Sequence, residues 1–121
     1  MVNILLVEDD IKIGNWLSGK IKSQNRNINI FWAKNFIEGS KNLNSNVEVD
    51  IIILDLKLPD GNGVNLIKMV KNNKPNSVLY VFSVSVALKG TCLRLGADTF
   101  FDKTTESDLF LSAINKHIQE F

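Results

Sequence analysis

The chain has 121 residues, 45% of them hydrophobic, which suits one domain able to bury a core without disulfides or a structural metal. Fourteen basic against thirteen acidic side chains leave a formal charge of +1, so no global electrostatic footprint argues for direct nucleic-acid binding or for an anionic membrane surface. Cys92 is the only cysteine, no signal-peptide pattern opens the sequence, and the longest mostly apolar stretch, Val78 to Leu88, falls short of the ~20 residues a bilayer requires. These features predict a cytoplasmic chain with no membrane span.

Ile4-Leu5-Leu6-Val7 reads as a first strand, followed by Glu8-Asp9-Asp10. Ile13, Trp16, Leu17 and Ile21 then recur at helical spacing and predict an amphipathic helix from about Ile11 to Gln24. A polar break at Asn25 to Asn27 precedes a second strand, Ile28 to Trp32, and Asn35 can cap a helix running to about Leu43. Ile51-Ile52-Ile53-Leu54 is too short for a helix and apolar at every position, as a strand covered on both faces must be. It is the expected central strand, and Asp55 follows it directly.

Leu58-Pro59-Asp60-Gly61-Asn62-Gly63 is dense in turn residues, and Val64, Ile67 and Val70 mark a third helix ending before Lys74-Pro75. A fourth strand, Val78 to Phe82, runs into Ser83, and a helix is expected from about Ser85 to Leu95, stopping at Gly96. Thr99 to Phe101 forms the fifth strand and leads to Lys103. The last helix is expected to bury Phe110, Ala113, Ile114, His117 and Phe121, with Thr105-Glu106-Ser107-Asp108 at capping-box spacing before it.

Alternating strands and helices predict an α/β fold: a flavodoxin-like (βα)5 doubly wound parallel sheet with strand order 2-1-3-4-5. In that order the ligand crevice lies at the carboxyl ends of strands 1 and 3, where Asp9 and Asp55 fall. Carboxylates gathered there repel one another and are relieved by a hard cation such as Mg²⁺. Asp55 is the candidate nucleophile, because a carboxylate forms an aspartyl phosphate when the incoming charge is neutralised. The cation, Lys103 and a hydroxyl at Ser83 supply that neutralisation, since phosphoryl transfer is catalysed mainly by positioning and electrostatics.

Val7-Glu8-Asp9-Asp10, Ile53 to Gly63, Phe82-Ser83 and Gly96 to Lys103 together resemble the motifs of two-component response-regulator receiver domains, in order and over essentially the whole chain. The resemblance implies one receiver domain over residues 1–121, with no output domain in this sequence. Asp55 then matches the phosphoacceptor, served by a sensor histidine kinase or a histidine phosphotransfer protein. Mg²⁺ (or Mn²⁺) is implied on Asp9, Asp55 and the backbone carbonyl of Lys57, with Glu8 acting through water. Ser83 and Phe100 match the switch pair, Lys103 the phosphate-contacting lysine, and the fourth helix, fifth strand and fifth helix the output face. Such domains are substrate-like switches that catalyse their own phosphorylation and dephosphorylation, as monomers or as phosphorylation-dependent dimers.

Two departures stand out. Thr104 follows Lys103 where the family usually has proline, and Phe100 stands where tyrosine is also common. Other readings are a receiver-like scaffold that binds partners without phosphorylation, and a receiver excised from a DNA-binding regulator. The last helix lacks the arginines of a salt-bridged winged-helix dimer face, which argues against that subclass. Asp55-Leu56-Lys57 lacks the second acid of an aspartyl phosphatase, and no Ser/Thr-rich loop follows the first strand as a flavodoxin requires. Taken singly, Asp10 reads equally well as a helix cap, Cys92 as a small buried residue, and Phe31, Trp32 and Trp16 as core or rim.

Overall fold

The computed structural model describes residues 1–121. Its main sheet has five parallel strands, β1 (Val2–Val7), β2 (Ile28–Ala33), β3 (Ile51–Leu54), β6 (Val78–Ser83) and β7 (Thr99–Asp102), in the order β2-β1-β3-β6-β7. This is the expected order of five strands. A two-residue antiparallel hairpin, β4 (Lys57–Leu58) with β5 (Gly61–Asn62), lies outside the main sheet within the turn-rich segment.

Side-chain parity along the strands decides which helix layer each residue meets. Leu5, Val7, Ile52, Leu54, Leu79, Val81 and Phe100 point to one face, where they pack with Leu43 of α2 (Phe36–Leu43), Ile67 and Val70 of α3 (Val64–Asn73), and Cys92 of α4 (Lys89–Leu95). Ile4, Leu6, Ile51, Ile53, Tyr80 and Phe82 point to the other, against Leu17 and Ile21 of α1 (Ile11–Gln24) and Phe110, Ile114 and Ile118 of α5 (Ser107–Ile118). All four residues of β3 are buried, as a strand with neighbours on both sides and helices on both faces requires.

Several local expectations need correction. The segment after β6 begins with a short 3₁₀ turn over Val86–Leu88, and the α-helix starts only at Lys89. Ser85 offers no side-chain cap, and β-branched Val84 and Val86 are poor residues on which to begin a helix. The capping box before α5 does not form: Glu106 turns back and its Oε1 accepts from the Asp102 amide at 2.8 Å. α5 ends at Ile118, so the helical stripe does not reach Phe121, which is 62% exposed and stacks on His117 at 5.4 Å between centroids. His117 is half-buried, with Nδ1 2.8 Å from the Tyr80 hydroxyl.

Candidate functional site

The order of the sheet reverses at β1, so the carboxyl ends of β1 and β3 flank a crevice. β1 delivers Glu8 and Asp9, β3 delivers Asp55, and the turn after β7 delivers Lys103. An open cleft of ≈ 340 Å³ is lined by these four residues together with Asp10, Lys57 and Val84, among others. The chain leaves Asp55 along a tight path, since Gly63 donates to the Leu56 carbonyl at 2.7 Å. A Cβ on Gly63 would lie 2.3 Å from the Asp55 carbonyl oxygen, so only glycine lets the loop close beneath the acid.

Lys103 holds the two inner acids. Its Nζ lies 2.7 Å from Glu8 Oε1 and 3.0 Å from Asp55 Oδ2. Glu8 and Asp55 are 1% and 5% exposed, whereas Asp9 faces solvent. Burial pushes the Glu8 carboxyl up to about 7, with its hydrogen bond to Lys103 opposing and the charge of Asp55 adding. For Lys103 burial acts downward, but the hydrogen bond to Glu8 and the charge of Asp55 outweigh it and the ammonium is raised. Burial is thus the main reason that Glu8 is raised, and the two neighbouring carboxylates are the reason that Lys103 is.

Oxygens of Glu8, Asp9 and Asp55 come within 4.8 Å of one another. A converging set of carboxylate oxygens, short of positive charge and open to water on the Asp9 side, suits a hard divalent cation. Lys57 stands on the cleft wall with its side chain exposed. Asp10 is the N-cap of α1, accepting from the amides of Lys12 at 2.9 Å and Ile13 at 3.1 Å, so the capping reading holds.

Ser83 is fully buried beside the site, where its Oγ accepts from the Ser85 amide at 3.1 Å. Phe100 lies next to Val81 in register and is buried at 4% exposure. No peptide bond is cis, the Lys103–Thr104 bond included, and Lys103 still reaches Glu8 and Asp55. Two supporting residues escaped the sequence reading. Trp32 Nε1 donates to the Glu8 carbonyl at 2.9 Å, and Asp60 accepts from the first two amides of α2, at 2.6 Å from Phe36 and 3.1 Å from Ile37. Both contacts depend on tertiary register, which leaves no local signature.

A family model for the response regulator receiver domain matches residues 4–115. The chain belongs to this family. Receiver domains are signalling modules of two-component systems, not conventional enzymes. This receiver domain is 36% identical over 106 residues to the "Probable transcriptional regulatory protein SilR" of Salmonella typhimurium, a match covering 84% of this chain and 44% of that protein. It spans about half the length of the curated relatives it matches.

Among solved structures, a CheY-like receiver domain protein from Methanospirillum hungatei superposes with a TM-score of 0.85 at 22% identity, covering 99% of this chain and 95% of that one. The fold is therefore the CheY-like, flavodoxin-type arrangement. A response regulator from Burkholderia pseudomallei aligns with a TM-score of 0.81 at 22% identity over 99% of this chain and 72% of that one. Its crystal structure carries a phosphorylated aspartic acid, a calcium ion and citrate. No helix of the receiver domain is long and apolar enough to cross a membrane.

Proposed function

We propose that this receiver domain is a phosphoacceptor switch that takes a phosphoryl group onto Asp55 from the phosphohistidine of a sensor kinase or a phosphotransfer protein. The observation that carries this reading is the Asp55 carboxylate, nearly buried at the end of the central strand yet open to the cleft, with Lys103 Nζ 3.0 Å away and Glu8 and Asp9 beside it. Asp9, Asp55 and the Lys57 carbonyl would hold Mg²⁺ or Mn²⁺, with Glu8 acting through water, and the cation would offset the charge of the incoming phosphoryl group.

An Asp55 carboxylate oxygen attacks the phosphorus. The new O–P bond forms as the N–P bond to the donor histidine breaks, and the departing imidazole nitrogen keeps its electron pair and takes a proton from solvent. Lys103 is already poised on Asp55 Oδ2 and transfers its contact to the phosphoryl oxygens. Ser83 accepts from the Ser85 amide through its oxygen, which leaves the hydroxyl hydrogen free to turn toward the same group. Phe100 already lies inward, so in this reading the first change at the switch pair falls on the Ser83 hydroxyl.

Hydrolysis of the acyl phosphate resets the switch without a second enzyme. The changed surface is the one formed by α4, β7 and α5, presented to an output partner or to a second phosphorylated copy. Intact-protein mass after incubation with Mg²⁺ and acetyl phosphate tests the reading. A gain of ~80 Da in the wild type that is absent in Asp55→Ala is the expected result. No adduct on a folded, Mg²⁺-competent wild type, with acetyl phosphate and with a phosphohistidine donor alike, would overturn it.

A further inference from the structure

β1 does not stop abruptly at the site. Its last hydrogen bond to β2 is made by the Glu8 amide, which donates to the Ala33 carbonyl at 3.0 Å. The Glu8 carbonyl, which faces no further strand residue, is taken by the indole Nε1 of Trp32 at 2.9 Å. Both main-chain polar groups of the first acidic residue are thus held by neighbouring residues of one edge strand. Asp9 follows immediately, exposed, and Asp10 then enters the cap of α1.

The indole is itself held on two sides. α1 crosses it at Gly14, where a Cβ would fall 1.9 Å from the ring carbon Cζ2, so the helix can lie this close only because residue 14 has no side chain. On Trp32 the Lys34 ammonium also sits 4.9 Å from the ring centroid. Trp32 is partly buried against the layer containing Leu6, its register partner in β1. A ring held in this way has little freedom to move its N–H away from the Glu8 carbonyl.

We propose that Trp32 is a positioning residue for the cation site: its indole N–H fixes the backbone at Glu8 and so aims Asp9, one bond further on, at Asp55. The inference rests on the reading of Glu8, Asp9 and Asp55 as the cation site. It assigns the coordination geometry partly to a β2 side chain that touches neither the cation nor the phosphoryl group. Partners that orient ligands in this way typically change metal affinity about 10–100-fold when removed. A single neutral hydrogen bond to the main chain of Glu8, the residue before the ligand Asp9, belongs at the low end of that range.

Trp32→Phe keeps an aromatic ring on β2 while removing the N–H donor and the part of the indole that lies against Gly14. Calorimetric titration with MgCl₂ is expected to show affinity about tenfold weaker than wild type. Phosphorylation by acetyl phosphate should need correspondingly more Mg²⁺ for half-saturation while reaching the same plateau rate. Gly14→Ala, which displaces the indole, should weaken Mg²⁺ binding in the same direction, and the double variant should be no worse than Trp32→Phe alone.

Equal Mg²⁺ affinity in wild type and Trp32→Phe, or additive losses in the double variant, would overturn the positioning role. A plateau rate that falls at saturating Mg²⁺ would also overturn it, since the residue would then act on more than the cation site. Absence of Mg²⁺ binding by the wild type would instead fail the underlying cation-site reading, so the two failures are separable.

Discussion

Glu8, Asp55 and Lys103 set the character of the site through a simple imbalance: one ammonium contacts two buried carboxylates, and a third, Asp9, stands at the opening. Each inner acid is stabilised by Lys103 and destabilised by the other acid, so a further positive charge is what the cluster lacks. Lys57 occupies a different position, on the rim of the cleft with its side chain in solvent. Its removal leaves no cavity in the core, and in the proposed phosphoacceptor reading it opens one approach for water to the acyl phosphate on Asp55. Lys57→Ala is expected to speed dephosphorylation about two- to fivefold, a change of roughly 0.4–1 kcal/mol in the barrier, with the unfolding midpoint unmoved. Single-turnover decay of the phosphorylated protein measures this directly. An unchanged decay rate would remove the Lys57 side chain from any part in water access.

At the scale of elements, the residues most legible in the sequence were those at strand ends. An apolar run that stops at a charged residue marks both the strand and the acid, which is why Glu8, Asp9 and Asp55 could be placed on one edge before any coordinates. What could not be read were contacts between loops distant in sequence, and α2 depends on one of these. Asn35 caps the Glu38 amide at 2.8 Å as expected, but the amides of Phe36 and Ile37 are satisfied by Asp60, from the loop that follows Asp55. Nothing in Pro59-Asp60-Gly61 announces a partner other than its own turn. Desolvation is the largest single effect on the Asp60 carboxyl and acts upward, but the amides of Phe36, Ile37 and Asp60 itself together outweigh it and hold the carboxyl below its ordinary 3.8. A depressed carboxylate stabilises the fold above its unfolded pKa and loses that contribution as pH falls through the folded value. Asp60→Ala is therefore expected to lower the urea midpoint at pH 6, and the gap to wild type should start to close as pH falls below the unfolded value of about 3.8 and vanish as it passes through the lower folded value. A gap between the two proteins that stays constant down to pH 2.5 would mean that Asp60 acts through shape rather than charge.

Across the whole molecule, the five-strand order followed from alternation and crossover handedness, and the burial of β3 on both faces from its unbroken apolar run, whereas which helix layer each strand residue meets emerged only with the fold. The ends of the last two helices did not follow, since propensity and periodicity carry little information about where a helix starts or stops. The two layers also differ in how they meet the site. On the α1/α5 side Phe110 is fully buried and stacks on Phe82 with centroids 4.3 Å apart and planes 11° from parallel, while the Lys103 ammonium lies 5.7 Å from the Phe82 ring. The aromatic stack thus forms the floor beneath the lysine as well as the join between α5 and the sheet. Truncating a buried phenylalanine to alanine costs about 3–5 kcal/mol, through lost transfer energy and the cavity left behind. Domains of this size have only about 5–15 kcal/mol in total. Phe110→Ala should fold with a urea midpoint lower by at least ~1 M, given slopes of about 1–3 kcal/mol/M. Because the cavity opens under Phe82, the same variant should lose order at Lys103 while Glu8, Asp9 and Asp55 keep their places on strands of the intact sheet. Amide exchange in the folded variant is then expected to quicken in residues 102–110 and to stay slow in β1 and β3; equal acceleration in all three would show that the stack supports the sheet as a whole.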